Sequence, residues 1–130
     1  MSVVRDSGLA GADPSILTFL RSLGIENDPA FGHQFLGVYL TQSRAQLDAI
    51  RQALAEGKSD AVLFAAHKLK GSASTVGALR LALLCDRAES AARSGNLDDV
   101  RSAIPELEAA FSAAAAQIER FVQSLPPPTS

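Results

Sequence analysis

Residues 59–76 read SDAVLFAAHKLKGSASTV, and this stretch sets the pattern of the whole chain. Its apolar residues recur at spacings of one, three and four, which predicts one buried stripe on an amphipathic helix. His67 lies at the edge of that stripe, and Lys70 and Gly71 follow one turn later on the same face. The stripe comprises Val62, Ala65, Ala66, Leu69, Ala73 and Val76. The stretch therefore predicts a helix that carries an imidazole beside a cation and a position without a side chain.

Gly71 is the unexpected residue of this helix. A glycine in a helix interior costs about 1 kcal/mol relative to alanine. Gly71 is also too far from the predicted helix end near Gly77 to serve as a cap. Either a neighbouring helix approaches closely at Gly71, or the ring of His67 must be reachable by something large. We favour the second explanation.

Two helix starts precede this stretch, each marked by an Asp-Pro pair, at residues 13–14 and 28–29. The first predicts a short helix that ends at Gly24. The second predicts a long helix that runs to about Glu56 and stops at Gly57. In the long helix, Leu36, Leu40, Ser43, Leu47, Ile50 and Leu54 form a sustained core stripe. A flanking stripe of Phe31, Phe35 and Tyr39 is expected to be core beneath the first helix, with partial exposure to a partner as the alternative.

Two further helices are predicted after Gly77. The short turn at Gly77 makes the next helix, from Ala78 to about Gly95, the antiparallel partner of the central one. An apolar stripe alternating threes and fours then predicts a long last helix over residues 97–125. Pro105 interrupts this stripe, which predicts a kink or a break near Ser102.

Helix caps are predicted from the same positions. Ser59 or Asp60 is expected to cap the central helix, and Asp98 the last one.

These elements predict an all-α fold. Four long helices with short connections are expected to pack as an antiparallel up-down-up-down bundle, with one short extra helix at the N-terminal end. The domain is predicted to span residues 13–125. Residues 1–12 are expected to form a flexible terminus and residues 126–130 a disordered tail.

Composition and charge exclude several classes of function. The formal net charge is −2, so the chain lacks the basic footprint that nucleic-acid binding needs. Cys85 is the only cysteine, which excludes an intramolecular disulfide and a cysteine metal cluster. No signal-peptide pattern opens the chain, and no apolar run approaches the roughly 20 residues that span a bilayer. We expect a cytoplasmic protein that does not bind membranes.

His67 has the surroundings that a phosphoryl-accepting nucleophile needs. A neutral imidazole carries a lone pair on one nitrogen and a hydrogen on the other. Attack on phosphorus requires one exposed nitrogen, an acceptor that fixes the other, and a nearby cation such as Lys70. Glu89 is the candidate acceptor: His67 lies ten residues before the turn at Gly77 and Glu89 twelve after it, so the hairpin places both at nearly the same height. Alternatively, Lys70 is an ordinary surface lysine and Glu89 pairs only with Arg93.

The sequence contains no machinery that could start phosphoryl chemistry. It has no phosphate-binding loop of the GxxxxGK[ST] type, no glycine-rich nucleotide motif and no acidic cluster suited to Mg²⁺. A phosphoryl group on His67 would need another protein as the source of both donor and metal.

The run from Ala66 to Ala73, together with Gly77-Ala78, Leu84-Cys85 and Glu89, closely resembles the signature of histidine-containing phosphotransfer (Hpt) domains of bacterial phosphorelays. The resemblance implies that His67 is phosphorylated at Nε2 and that Lys70 lies near the phosphoryl group. It implies that Gly71 leaves room for the partner's active site. It also implies that Glu89 bonds the other ring nitrogen.

The resemblance further implies a phosphocarrier without independent catalysis. His67 would accept a phosphoryl group from the aspartyl-phosphate of a response-regulator receiver domain and pass it to another receiver aspartate. The receiver would bring Mg²⁺, so the chain would hold no cofactor or metal of its own. Phe64, Leu63 and Lys68 are expected at the docking surface, with part of the Phe35–Tyr39 stripe. The family is typically monomeric.

Two alternatives remain open at the sequence level. The first is an Hpt domain phosphorylated directly by an ATP-dependent histidine kinase domain, with which Glu89 is compatible. The second is a helical adaptor of the same fold whose His67 is never phosphorylated. An adaptor has no use for the glycine at position 71, which argues against the second alternative.

Overall fold

The computed structural model describes residues 13–127, and over these residues every regular element is helical. The helices are α1 (Pro14–Ser22), α2 (Pro29–Glu56), α3 (Ser59–Ser74), α4 (Leu79–Arg93) and α5 (Leu97–Ser124), with one 3₁₀ turn at Ile25–Asn27. The four long helices form the predicted antiparallel bundle, and α1 is the short extra helix. The predicted flexible terminus, residues 1–12, lies outside the described residues, as do the last three residues of the predicted tail.

The Asp-Pro signals place the first two helix starts correctly. The Asp13 carboxylate accepts a hydrogen bond from the backbone N–H of Ser15, and Asp28 accepts one from Phe31. Each proline occupies the first helical position, where its missing N–H costs nothing. Gly57 ends α2 with a positive φ of 69°, a conformation that glycine adopts at little cost.

Two predicted caps are wrong. The helix α3 begins at Ser59, because the Lys58 carbonyl accepts the first helical hydrogen bond from the backbone N–H of Val62. Lys58 therefore takes the capping position, and its side chain makes no capping bond. The helix α5 begins at Leu97, and the side chain of Asn96, not Asp98, caps it. Packing of the partly buried Leu97 against the core draws this extra residue into the helix.

The break expected near Ser102 does not occur, and α5 continues through Pro105. Proline removes the hydrogen bond to the carbonyl four residues earlier, here that of Arg101. Both Pro105 and Arg101 are exposed, so water can satisfy this carbonyl. A kink at this point stays a prediction.

The predicted stripes form the core. Leu36, Leu47, Ile50, Val62, Leu69, Leu81, Leu107 and Ile118 are fully buried, and Leu40 packs against them from the edge. Ser43 is a buried polar exception, and its hydroxyl donates to the Tyr39 carbonyl at 2.7 Å. Burial raises the pKa of the Cys85 thiol to about 12, so this residue is a small core hydrophobe rather than a reactive thiol.

The short helix α1 packs on the turn between α3 and α4. Gly77 in that turn has a φ of 74°, and a Cβ there would lie 2.5 Å from Phe19 Cβ and 2.8 Å from the Ser15 carbonyl oxygen. Only glycine fits this contact. At the start of α1, the backbone N–H of Asp13 donates to the side chain of Gln117 on α5 at 2.7 Å.

Because α1 lies on that turn and on α5, it does not cover the start of α2. Phe31 is 49% exposed there and stacks on the partly buried Phe35, with ring centroids 5.6 Å apart. Tyr39 is buried. The expectation that the whole flanking stripe is core beneath the first helix is therefore wrong for Phe31.

Candidate phosphotransfer site

The antiparallel hairpin of α3 and α4 brings His67 and Glu89 together. The Nδ1 atom of His67 lies 3.1 Å from Oε2 of Glu89. The two residues differ sharply in exposure, since the side chain of His67 is 63% exposed and that of Glu89 only 7%. A buried carboxylate on one helix thus anchors an exposed ring on the other.

Three donors surround the Glu89 carboxylate. Lys70 Nζ lies 2.7 Å from Oε1, and a guanidinium nitrogen of Arg93 lies 3.0 Å from Oε2, the oxygen that also contacts His67. The hydrogen bond from Lys70 is the largest influence on the Glu89 pKa, and with the bonds from His67 and Arg93 it outweighs burial and lowers that pKa. Glu89 is therefore ionised at neutral pH and acts only as an acceptor.

The ionised carboxylate fixes the tautomer of His67. Because Glu89 can only accept, the hydrogen of a neutral His67 ring must lie on Nδ1. The lone pair is then on Nε2, which has no hydrogen-bond partner among residues 13–127. This arrangement, a nucleophilic nitrogen with its opposite nitrogen anchored, suits in-line attack on a phosphorus atom.

Lys70 is held by two carboxylates rather than free in solvent. In addition to Glu89, it contacts Oδ1 of Asp86 at 3.0 Å, and its side chain is 29% exposed. The bonds to Glu89 and then Asp86 raise the pKa of Lys70. The lysine is thus a fixed positive charge one helical turn from His67.

The space above Gly71 is open. A Cβ added at Gly71 would meet nothing within 4 Å, so close approach of a neighbouring helix does not explain this glycine. A shallow surface groove runs beside it between α2 and α3. Its lining comprises Phe35, Val38, Tyr39, Gln42 and Gln46 of α2 and Lys68, Gly71, Ser72 and Thr75 of α3.

Apolar surface continues from this groove around His67. Phe64, one turn before His67, is 62% exposed, and the ammonium of Lys68 lies 4.9 Å from the centre of its ring. Leu63 is half-buried and packs against the core. Of the predicted docking residues, Phe64 and Lys68 are thus at the surface, and Leu63 exposes less of its side chain.

Two neighbours of the site were not among the predicted residues. Ser72 donates to the side-chain oxygen of Gln46 at 2.8 Å, which ties α3 to α2 beside the groove. Asp86 pairs with Lys70. The signal for Asp86 was in the sequence: Lys70 lies seven residues before Gly77 and Asp86 nine after it, the same offset that relates His67 to Glu89.

In the part of the chain that the structure describes, no cluster of three or more His, Cys, Asp or Glu side chains could hold a metal ion. None of the described helices is long and apolar enough to cross a membrane.

The sequence of this chain matches a known protein family. The family described as Hpt domain matches the chain over residues 34–117, which include the whole α3–α4 hairpin. The chain belongs to the Hpt domain family. Members of this family are phosphoryl carriers of two-component signalling, and partners of an Hpt domain are receiver domains or histidine kinases.

A solved structure extends the match to most of the chain. The Hpt domain is similar to the crystal structure of histidine-containing phosphotransfer protein B from Pseudomonas aeruginosa, with a TM-score of 0.75 and 26% sequence identity. The similarity covers 88% of this chain and 96% of that one. The search of curated protein sequences found no match.

Proposed function

We propose that His67 accepts a phosphoryl group from the aspartyl-phosphate of one receiver domain and passes it to the aspartate of another. The observation that carries this proposal is the pairing of a buried, ionised Glu89 with the Nδ1 of an exposed His67 ring. That pairing leaves Nε2 as the nucleophile on the surface.

The proposed step balances in atoms and charge. The Nε2 lone pair forms a bond to phosphorus as the P–O bond to the receiver aspartate breaks, and the aspartate leaves as a carboxylate. Nδ1 keeps its hydrogen, so the ring becomes a phosphorylated imidazolium whose positive charge faces Glu89. Transfer to the second receiver reverses these changes.

The chain's own residues contribute positioning and charge. Glu89 orients the ring and stabilises its positive charge in the phosphorylated state. Lys70 offers an ammonium to the phosphoryl oxygens, and the open space at Gly71 admits the receiver's active site. Because phosphoryl transfer passes through a loose transition state, alignment of donor and acceptor matters more than covalent assistance. In this proposal the receiver supplies Mg²⁺, and the Hpt domain acts as a monomer.

The receiver docks on the apolar surface around His67. Phe64 and the groove between α2 and α3 flank the ring on its exposed side. Exposed aromatic residues next to an accessible nucleophile are the features expected at the centre of a protein–protein contact.

Radiolabel transfer tests the proposal. The Hpt domain is incubated with receiver domains phosphorylated on aspartate, and the label is followed to the Hpt domain and onward to a second receiver. We expect label on the wild type and none on His67→Gln, a variant that folds normally because the side chain is largely exposed.

The other outcomes separate the alternatives. Label that arrives only with a histidine kinase and ATP supports the alternative in which a histidine kinase domain phosphorylates His67 directly. No label from either source supports an adaptor and overturns the proposal.

A further inference from the structure

The pairing of Lys70 with Asp86 has no evident structural purpose. Asp86 is 56% exposed, and an exposed ion pair of this kind contributes little to stability. The pair nevertheless lies beside the reactive ring, because Lys70 also contacts the carboxylate that anchors His67. Asp86 is thus an anion that contacts the cation expected to meet the phosphoryl group.

Charge in this cluster changes when His67 is phosphorylated. In the unphosphorylated state Lys70 and Arg93 balance Glu89 and Asp86. Phosphorylation adds a group with about two negative charges, partly offset by the positive charge on the ring. The new anion and Asp86 then compete for the same ammonium, and they also repel each other.

We propose that Asp86 is a positioning residue that holds Lys70 away from the phosphoryl group and so keeps phosphohistidine only moderately stable. This inference rests on the proposed function, because it concerns how readily the carrier gives up its phosphoryl group. Glu89 alone would keep Lys70 near the ring. Asp86 adds a second anchor, which the phosphoryl group must displace to gain full contact with the lysine.

The proposal predicts that removal of the Asp86 charge makes phosphohistidine more stable. Asp86→Asn keeps the size of the side chain and removes its charge, so Lys70 keeps its ion pair with Glu89 alone and can also contact the phosphoryl oxygens. At equilibrium with a receiver domain, the variant should retain about two- to fivefold more phosphoryl group than the wild type, the range expected for an exposed ion pair. Asp86→Glu should restore the wild-type value.

A spectroscopic test needs no receiver. Phosphoramidate, a small-molecule phosphoryl donor, is used to phosphorylate His67, with ammonia as the leaving group. The ³¹P NMR shift of the phosphohistidine is then followed against pH. In Asp86→Asn the phosphoryl group should take up its proton at a pH that is lower by a few tenths of a unit. The reason is that Lys70, no longer paired with Asp86, stabilises the doubly charged phosphoryl group.

Two further variants isolate the role of Lys70. In a Lys70→Ala background, Asp86→Asn should have a clearly smaller effect if Asp86 acts mainly through the lysine, because only its direct repulsion of the phosphoryl group is then removed. Asp60→Asn is the matched control, because Asp60 is an exposed aspartate in the first turn of α3, about two helical turns before His67. The phosphoryl group of this variant should titrate like that of the wild type.

Three results would overturn the inference. They are an unchanged titration in Asp86→Asn, an equal effect with and without Lys70, and failure of phosphoramidate to label the wild type. Successful labelling by phosphoramidate with no transfer from any receiver or kinase overturns the proposed function alone.

Discussion

Glu89 Oε2 lies 3.1 Å from His67 Nδ1, so a nearly buried carboxylate holds a largely exposed imidazole ring. The bond runs between the two helices of the hairpin and depends on the turn at Gly77 that joins them. Since the lowered pKa of Glu89 keeps it ionised, the bond decides which ring nitrogen carries the hydrogen. We therefore expect the reactivity of Nε2 to depend on Glu89, a side chain that is almost fully buried.

Removal of the Glu89 carboxylate should release this tautomer. In Glu89→Ala, ¹⁵N NMR of the His67 ring should show a mixture of Nδ1–H and Nε2–H forms in place of one. Phosphorylation should slow about tenfold or more, since a hydrogen bond to a charged group contributes about 1.5–3 kcal/mol. Glu89→Gln is the matched variant, because its amide oxygen can still accept a hydrogen bond from Nδ1. Its phosphorylation rate should fall less than that of Glu89→Ala. A single Nδ1–H form in Glu89→Ala would contradict the assigned role.

Local sequence signals predicted most of the fold because the chain's helix ends carry their own chemistry. The Asp-Pro starts at 13–14 and 28–29 and the stop at Gly57 need only nearby residues, and they were predicted correctly. The caps at Ser59 and Asp98 were predicted wrongly. The first helical hydrogen bond of α3 goes to the Lys58 carbonyl, and α5 begins at Leu97, which packs against the core. The break predicted at Pro105 does not occur, because the carbonyl that loses its hydrogen bond belongs to the exposed Arg101 and can bind water.

One geometric argument predicted the central contact of the site. Prediction from the sequence failed where packing between helices decides which side chains are exposed. The height of residues above the turn at Gly77 predicted that Glu89 would meet His67, and it applies equally to the missed pair of Lys70 and Asp86. The sequence left open whether Phe31 is core or exposed, because its exposure depends on where α1 packs. No local signal in α1 shows that it lies on the α3–α4 turn.

The open space at Gly71 predicts opposite effects on stability and transfer. Gly71→Ala and Gly71→Leu should each stabilise the helix by up to about 1 kcal/mol, since glycine is a poor helix former and a Cβ fits without a clash. Stability is measured by urea denaturation. Transfer from a phosphorylated receiver should slow slightly in the alanine variant and strongly in the leucine variant, which fills the space that the partner needs.

Gly37 provides the control for this prediction. It is a helix-interior glycine of α2 whose added Cβ would also meet nothing within 4 Å, and it does not line the groove beside Gly71. Gly37→Leu should stabilise the helix without slowing transfer. An unchanged transfer rate in Gly71→Leu would remove access as the explanation of Gly71.

Phe64 should contribute to receiver binding and little to folding. Because its side chain is 62% exposed, Phe64→Ala should change the free energy of unfolding by no more than about 0.5 kcal/mol. Loss of an aromatic contact at the centre of an interface typically costs about 1–2 kcal/mol, so receiver affinity should fall roughly 5- to 30-fold. Titration calorimetry with a receiver domain measures this change.

Leu23→Ala is the control for Phe64→Ala. Leu23 is 45% exposed, but it follows α1 and does not line the groove beside Gly71. Its replacement should leave receiver affinity unchanged. Equal affinities for wild type and Phe64→Ala would mean that the docking surface lies elsewhere.

Asp13 should make the stability of the fold depend on pH. Its carboxylate accepts from the N–H groups of Ser15 in α1 and Arg80 in α4, so one side chain joins the starts of two helices. Burial opposes its ionisation, but the Arg80 and Ser15 donors outweigh it and lower the pKa of Asp13. Asp13→Asn should destabilise the protein by about 1–2 kcal/mol at pH 7, because it removes the charge and one of the two acceptor oxygens.

The sign of the pH dependence follows from the lowered pKa. The stabilisation by Asp13 is fully present above the pKa of an aspartate in the unfolded chain, about 3.9, and is lost as the pH falls through the lower folded-state value. The difference in unfolding free energy between wild type and Asp13→Asn should thus be constant from pH 5 to 8 and shrink below about pH 4. Asp28→Asn is the control: Asp28 caps α2 through one bond, asparagine caps equally well, and the change should be a few tenths of a kcal/mol. Urea denaturation monitored by circular dichroism across this pH range measures both variants. A wild-type advantage that persists undiminished through acid pH would show that the Asp13 charge does not join the two helices.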